Sequence, residues 1–328
     1  MKWFQTRTRV LSACLAILVV LLAGVYYFQN IEDWWSLQGY TPSTAIKTLA
    51  QDDTMTPQAQ HLFYVANATV DSRQVFNAHC SNKGDNTIVL GCYTGGTNGI
   101  IYIYDVTQPQ LNGIQQVTAA HEMLHVVYAR LGSQKTSVDN LLRAQMKETT
   151  DPRLLQLESI YSTTEPGELL DEMFSVFGTQ VATLNPDLQA IYNQYFTNRQ
   201  VLVNYTAAYV GLFQQNNAEI VSIDSQLKTL NTTIQSDNAQ LTSQQQGITS
   251  MAQTMNGLKS SGQVGPYNQD VGPYNQKVDT FNSLLTTDQQ LINQYNQLVA
   301  QRNQIATATN QLNNDLNSRF TTLSAQGQ

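Results

Sequence analysis

Charge is scarce in this chain of 328 residues, and basic charge is scarcest: 17 lysines and arginines stand against 24 acids, giving a formal net charge of −7 and a pI near 5.0. Nucleic acid needs a basic face for its phosphates and none is visible, so it is excluded as a partner. Cysteine is nearly absent. Of the three, Cys14 lies in an apolar run, which leaves Cys80 and Cys92 as a single pair in a short segment. In an oxidising compartment such a pair is expected to be a disulfide closing a small loop. The rival is a metal or thiol site, because His79 adjoins Cys80. Histidine and glutamate are also few, with four and eight in the whole chain.

What is present is uneven. Residues 10–28, VLSACLAILVVLLAGVYYF, have Ser12 as their only clearly polar member, and at about 1.5 Å per residue they approach the roughly 30 Å of a bilayer core. A cleaved signal peptide is the competing reading, but its apolar stretch would be shorter and would end in small residues. This run ends in Val25, Tyr26, Tyr27 and Phe28, as an uncleaved anchor would with an aromatic belt continued by Trp34 and Trp35. Leu11–Cys14 imitates a lipoprotein processing box but stands at the wrong end of the run. Lys2, Arg7 and Arg9 precede the run and Glu32 and Asp33 follow it, so the N-terminus is expected in the cytoplasm and everything after about residue 30 outside it.

Periodicity divides the rest. Residues 30–60 read as a tether with a short helix at Pro42–Ala50. His61–Val65, Thr87–Leu90 and Ile100–Tyr104 read as strands of a small antiparallel sheet, the last two joined by the glycine-rich turn Gly95–Gly99. From about residue 115 helical spacing takes over, with helices expected near 136–149, 152–160 and 167–182 and a long one opened by Asn185-Pro186.

Beyond residue 220, Ile220, Ile223, Leu227, Leu230, Ile234, Leu241, Ile248, Met251, Met255 and Leu258 form a heptad seam, with Asp237 and Gln244 in two of its places. Leu284, Leu291, Leu298, Ile305 and Leu312 form a second seam. Gly-Pro pairs in GQVGPYNQDVGPYNQ separate the two, which predicts an antiparallel hairpin with arms of roughly 45 residues and a loop at about 261–274. Its outer positions are Gln, Asn, Ser and Thr. The hairpin is a candidate surface for a protein partner or for self-association.

The chemistry is concentrated in His121-Glu122-Met123-Leu124-His125. On a helix, residues four apart share a face, so both imidazoles can turn a ring nitrogen to one point, where they suit zinc. Glu122 can then reach a water at the metal without ligating it. Shuffled residues would give this pattern about once in a thousand chains of this composition. A catalytic zinc needs a third protein ligand and an open place. The segment Glu165 to Phe174 offers Glu168 first, then Glu172, then Asp171 or Glu165.

With HEMLH followed 43 residues later by Glu168, the chain resembles the gluzincin class of zinc metallopeptidases, most nearly the catalytic domain of the anthrax lethal factor type. In that type a tyrosine seven residues before the ligand glutamate assists at the transition state, and an acid four after it supports a ligand histidine. Tyr161 and Glu172 occupy those positions here. The resemblance implies that His121, His125 and Glu168 hold zinc, Glu122 is the general base, Tyr161 stabilises the oxyanion and Glu172 fixes a histidine tautomer. It also implies that an edge strand upstream of the metal helix, here Ile100–Tyr104, pairs with an extended substrate.

The expectation is an α+β, mostly helical zincin-like catalytic domain with a small antiparallel sheet, an N-terminal transmembrane helix and a coiled-coil hairpin. Residues 1–29 would be the cytoplasmic N-terminus and anchor, 30–60 the tether, 61–184 the metallopeptidase domain and 185–328 the hairpin. The function expected is hydrolysis of peptide bonds in a peptide or protein substrate outside the cytoplasm. The rivals are an adaptor working through the hairpin and a zinc hydrolase of a cell-envelope amide.

Overall fold

The computed structural model describes residues 29–80 and 88–319. The run 10–28, read as a membrane span, lies outside them, and among the described residues no helix is long and apolar enough to cross a membrane. The chain separates into two compact units, one formed by the described parts of Met1–Gly211 and Leu312–Gln328, the other by Leu212–Gln311.

The first unit begins with helix α1, residues 29–38, followed by α2 (Thr44–Asp52), α3 (Pro57–Val65), β1 (Thr69–Asp71), α4 (Arg73–His79), β2 (Gly91–Thr94), β3 (Ile100–Tyr104) and α5 (Ile114–Ala129). Helices α6 (Lys135–Glu148), α7 (Pro152–Thr164), α8 (Leu169–Gln180) and α9 (Pro186–Tyr192) complete it, with the start of α10 (Gln200–Ser260). Several starts share one local cause. Thr56, Asp151 and Asn185 each precede a proline, and each side chain accepts a hydrogen bond from an early backbone N–H of its helix. Proline loses nothing there, because that N–H has no partner within the helix.

The core forms around α5. Ala120, Met123, Leu124 and Val127 of α5 cluster with Ile101 and Ile103 of β3 and with Phe174 and Phe177 of α8, all essentially inaccessible to solvent. Leu124 is fully buried, so truncating it to alanine removes roughly 2–5 kcal/mol of stability. Gly178 lets α8 approach α5 this closely, since a Cβ there would overlap the side chains of Leu124 and Tyr192. Arg199 closes the far end of α8. Its guanidinium donates to the carbonyls of Phe177 (3.3 Å), Val181 (2.6 Å) and Ala182 (3.1 Å), which no longer have helical partners.

The sheet has the order β1-β3-β2 and is mixed, not antiparallel. β1 runs parallel to β3, with Thr69 opposite Tyr102, and β2 runs antiparallel to it, with Gly91 opposite Ile103. Other expectations are corrected as well. His61–Val65 lies in α3, started by the Thr56 cap. The strand expected at Thr87–Leu90 begins only at Gly91. Asn185-Pro186 opens the short α9, not a long helix. Ile46, Leu49 and Ala50, expected in a tether, are core residues. Cys80 and Cys92 form the expected disulfide, with Cα atoms 5.8 Å apart. His79 stacks flat on Tyr102 at 4.4 Å, so the rival thiol–metal reading of that segment does not hold.

In the second unit α10 and α11 (Val264–Leu316) pack antiparallel. Asn216 donates to Thr309 (3.0 Å), Gln301 to Glu219 (2.8 Å), and Arg302 pairs with Asp224. Ile223, Leu241 and Met255 of the seam are buried. The turn is tighter than the Gly-Pro pairs suggest, with Gly262 at φ 71° between the helices. Pro266 falls in the first turn of α11, and Pro273 lies inside the helix at the loss of one backbone hydrogen bond.

Candidate metal centre

Two helices and a strand build the site. α5 places His121 and His125 on one face a turn apart, with their Nε2 atoms 3.1 Å from each other. α8 brings Glu172, whose Oε2 lies 3.7 Å from each of those nitrogens. Three donors at 3.1, 3.7 and 3.7 Å match the edge of a tetrahedron around zinc, about 3.3 Å for ligand bonds near 2.0–2.1 Å. Two imidazoles and one carboxylate are donors that fit a divalent metal ion. Among the described residues this is the group that can hold one.

The acid in the group is Glu172, not Glu168. α8 starts at Leu169, so Glu168 occupies the exposed position before its first turn, and Glu172, one turn on, faces the histidines. The supporting role expected of Glu172 falls to Asp171, whose carboxylate accepts from His125 Nδ1 at 2.7 Å. That bond leaves Nε2 of His125 as the coordinating atom. Both acids stand in the first turn of α8, where the helix dipole favours negative charge.

Burial couples these groups. It would raise the Glu172 carboxyl, but the neighbouring charges of His121 and His125 and the hydroxyl of Tyr161 outweigh it and hold the pKa down at about 2. Burial would lower His125. The Asp171 hydrogen bond and the charges of Glu122, Asp171 and Glu172 win instead and push it up to about 9. The Asp171 carboxylate thus favours a proton on His125 Nδ1, while Nε2 faces His121. A metal held at Nε2 would compete with a proton on that atom.

Glu122 stands beside this set without joining it. It is 5 % exposed, and burial raises its pKa although both histidines pull it down. The reason it fits is Gly91 on β2: a Cβ there would come within 2.5 Å of Glu122 Oε1 and 2.6 Å of Thr118 Cγ2. Tyr161, on α7, turns its hydroxyl to Glu172. Burial first and that negative charge second lift its pKa well above the ordinary phenol value.

The structure thus brings His121, His125, Glu122, Glu172 and Tyr161 together and leaves Glu168 out. Ile100–Tyr104 is the central strand of the sheet, so it has no free edge for a substrate. Among the described residues, the outer strand of the sheet that packs on α5 is β2. Sequence reasoning weighed Asp171 only as a ligand, and it missed Gly91. The glycine gives no signal by itself. The aspartate has one, because it lies next to Glu172 in the same turn. No family model matches the chain, and neither a curated protein nor a solved structure matches it.

Proposed function

We propose that the protein is a membrane-anchored zinc metallopeptidase of the gluzincin class, acting outside the cytoplasm on peptide bonds. The observation that carries this is the convergence of His121, His125 and Glu172 beside a buried glutamate that is not one of the three. A merely structural zinc site is better served by a fourth protein ligand. Relative to the lethal factor type, the ligand glutamate sits four residues further on, and the tyrosine precedes it by eleven residues where that type has seven. The anchor is the run 10–28.

His121, His125 and Glu172 would hold the ion, which when bound would supply Lewis acidity. The remaining work belongs to the chain. Asp171 holds the His125 ring in the tautomer that presents Nε2. Glu122 accepts a proton from the water that attacks the carbonyl carbon and returns it to the departing amine, and burial, which raises its pKa, favours the protonated form it holds between the two transfers. The Tyr161 hydroxyl donates to the oxyanion, for which it must leave Glu172.

The test is metal content and cleavage of an unstructured protein by the full chain, with Glu122→Gln in parallel. The variant keeps its metal and loses about 10²- to 10⁴-fold in rate. A wild-type protein that holds zinc and is as inert as the variant ends the peptidase reading in favour of the hairpin adaptor.

A further inference from the structure

Helix α1 is amphipathic the wrong way round. Gln29, Glu32 and Asp33 turn toward the protein, while Asn30 and Gln38 are exposed. Asp33 is 6 % exposed and accepts from Arg130 Nη1 at 2.9 and 3.1 Å, with His61 Nε2 at 3.2 Å. Gln29 donates to Asp33 (3.1 Å) and to Asn98 (3.2 Å), and Asn98 donates to Glu32 (2.7 Å). Arg130 also gives its Nε–H to the Thr97 carbonyl at 2.9 Å. The apolar face points outward: Ile31, Trp34 and Trp35, at spacings of three and four, are 49, 55 and 66 % exposed, and the two indoles meet edge to face at 5.0 Å.

A helix docked through a buried ion pair while two tryptophans face away from the protein is arranged for something outside it. The sequence says what lies there. The apolar run 10–28 ends at Phe28, one residue before this helix, so a chain anchored by that run leaves the bilayer at the first residue of α1. Indoles favour that depth, where the ring is apolar and its N–H remains wet.

We propose that the Ile31–Trp34–Trp35 face of α1 is seated in the headgroup–acyl boundary of a lipid bilayer. The seat rests on the anchored reading given above and adds a second, in-plane attachment to it. Its other side is Asp33 on Arg130, the residue that follows α5. The helix carrying His121 and His125 is thereby held at a set attitude to the membrane surface, and peptide segments emerging close to that surface are the substrates within its reach.

The full chain carrying Trp3→Phe keeps Trp34 and Trp35 as its only indoles. It is reconstituted into phosphatidylcholine vesicles, and flotation and fluorescence are read on the same sample. The expected result is co-flotation, with most of the indole emission lost to lipids brominated high on the acyl chain and little lost to aqueous iodide, at every protein-to-lipid ratio. If the chain floats but iodide quenches and bromolipid does not, the seat is overturned and the anchor stands. If it floats with the indoles shielded from both quenchers in proportion to protein density, the face is covered by a second copy, and the seat is again overturned. If the chain does not float, anchor and seat fall together.

Discussion

The metal centre and the helical hairpin both bury polar groups, and they treat them differently. Around α5 the buried charges answer one another: His125 with Asp171, Glu172 with two histidines and a tyrosine hydroxyl, each shifting its neighbours' protonation. In the hairpin two buried polar atoms have no hydrogen-bond partner. Asp288 is 3 % exposed and its Oδ1 has no partner, and the same holds for Oε1 of Gln244. At low dielectric a connected set of charges is held ready for chemistry, whereas an isolated one lowers stability. A seam that keeps polar residues at core places gives up stability and, as in other coiled coils, gains a preferred register.

The largest effect expected is at the ligand acid. Glu172→Ala removes a metal ligand and takes the metal content of the purified chain to near zero, whereas Glu168→Ala leaves it unchanged; elemental analysis of the two side by side decides which glutamate the site uses. Loss of metal from the second and not the first would reinstate the assignment made from sequence.

Next comes the support beneath the ligand. Asp171→Asn weakens the metal by about 10- to 100-fold in a competition titration without altering the far-UV spectrum. The pH dependence follows from the same contact. Since His125 keeps its second proton up to about pH 9, metal and proton compete below that value, and affinity rises with pH until about 9, where the competition ends. Removing the carboxylate lowers the His125 pKa, so in Asp171→Asn the rise ends at a lower pH. An unmoved endpoint would show that Asp171 does not set the histidine's proton affinity.

The smallest effect separates the two regions. Asp288→Leu removes a carboxylate whose buried Oδ1 has no hydrogen-bond partner and stabilises the hairpin by about 1–3 kcal/mol, read by chemical denaturation, with metal affinity unchanged. Destabilisation by this substitution would mean that the aspartate has a partner after all.

Legibility followed locality. HEMLH could be read because everything it needs lies within two turns of one helix. The third ligand depends on where α8 begins. Four acids at 165, 168, 171 and 172 offer several starts, and packing of Met173, Phe174 and Phe177 beneath α5 selects Leu169. His61–Val65 has strand-like composition, but Thr56-Pro57 just upstream is the same helix-opening pair that was recognised at Asn185-Pro186, and it decides the matter. The Gly-Pro repeat misled in the opposite direction. Neighbouring helical turns carry Pro273 along, so the hairpin turns at Gly262. The Asp33–Arg130 pair joins residues 97 apart, and no local pattern announces it.

Gly91 is followed directly by Cys92, which ties β2 to the end of α4. The segment whose missing side chain makes room for Glu122 is therefore also the segment secured by the crosslink. Opening that bond would leave β2 held by its four-residue pairing with β3 and its packing on α5, so the crosslink and the sheet secure the wall beside Glu122 together.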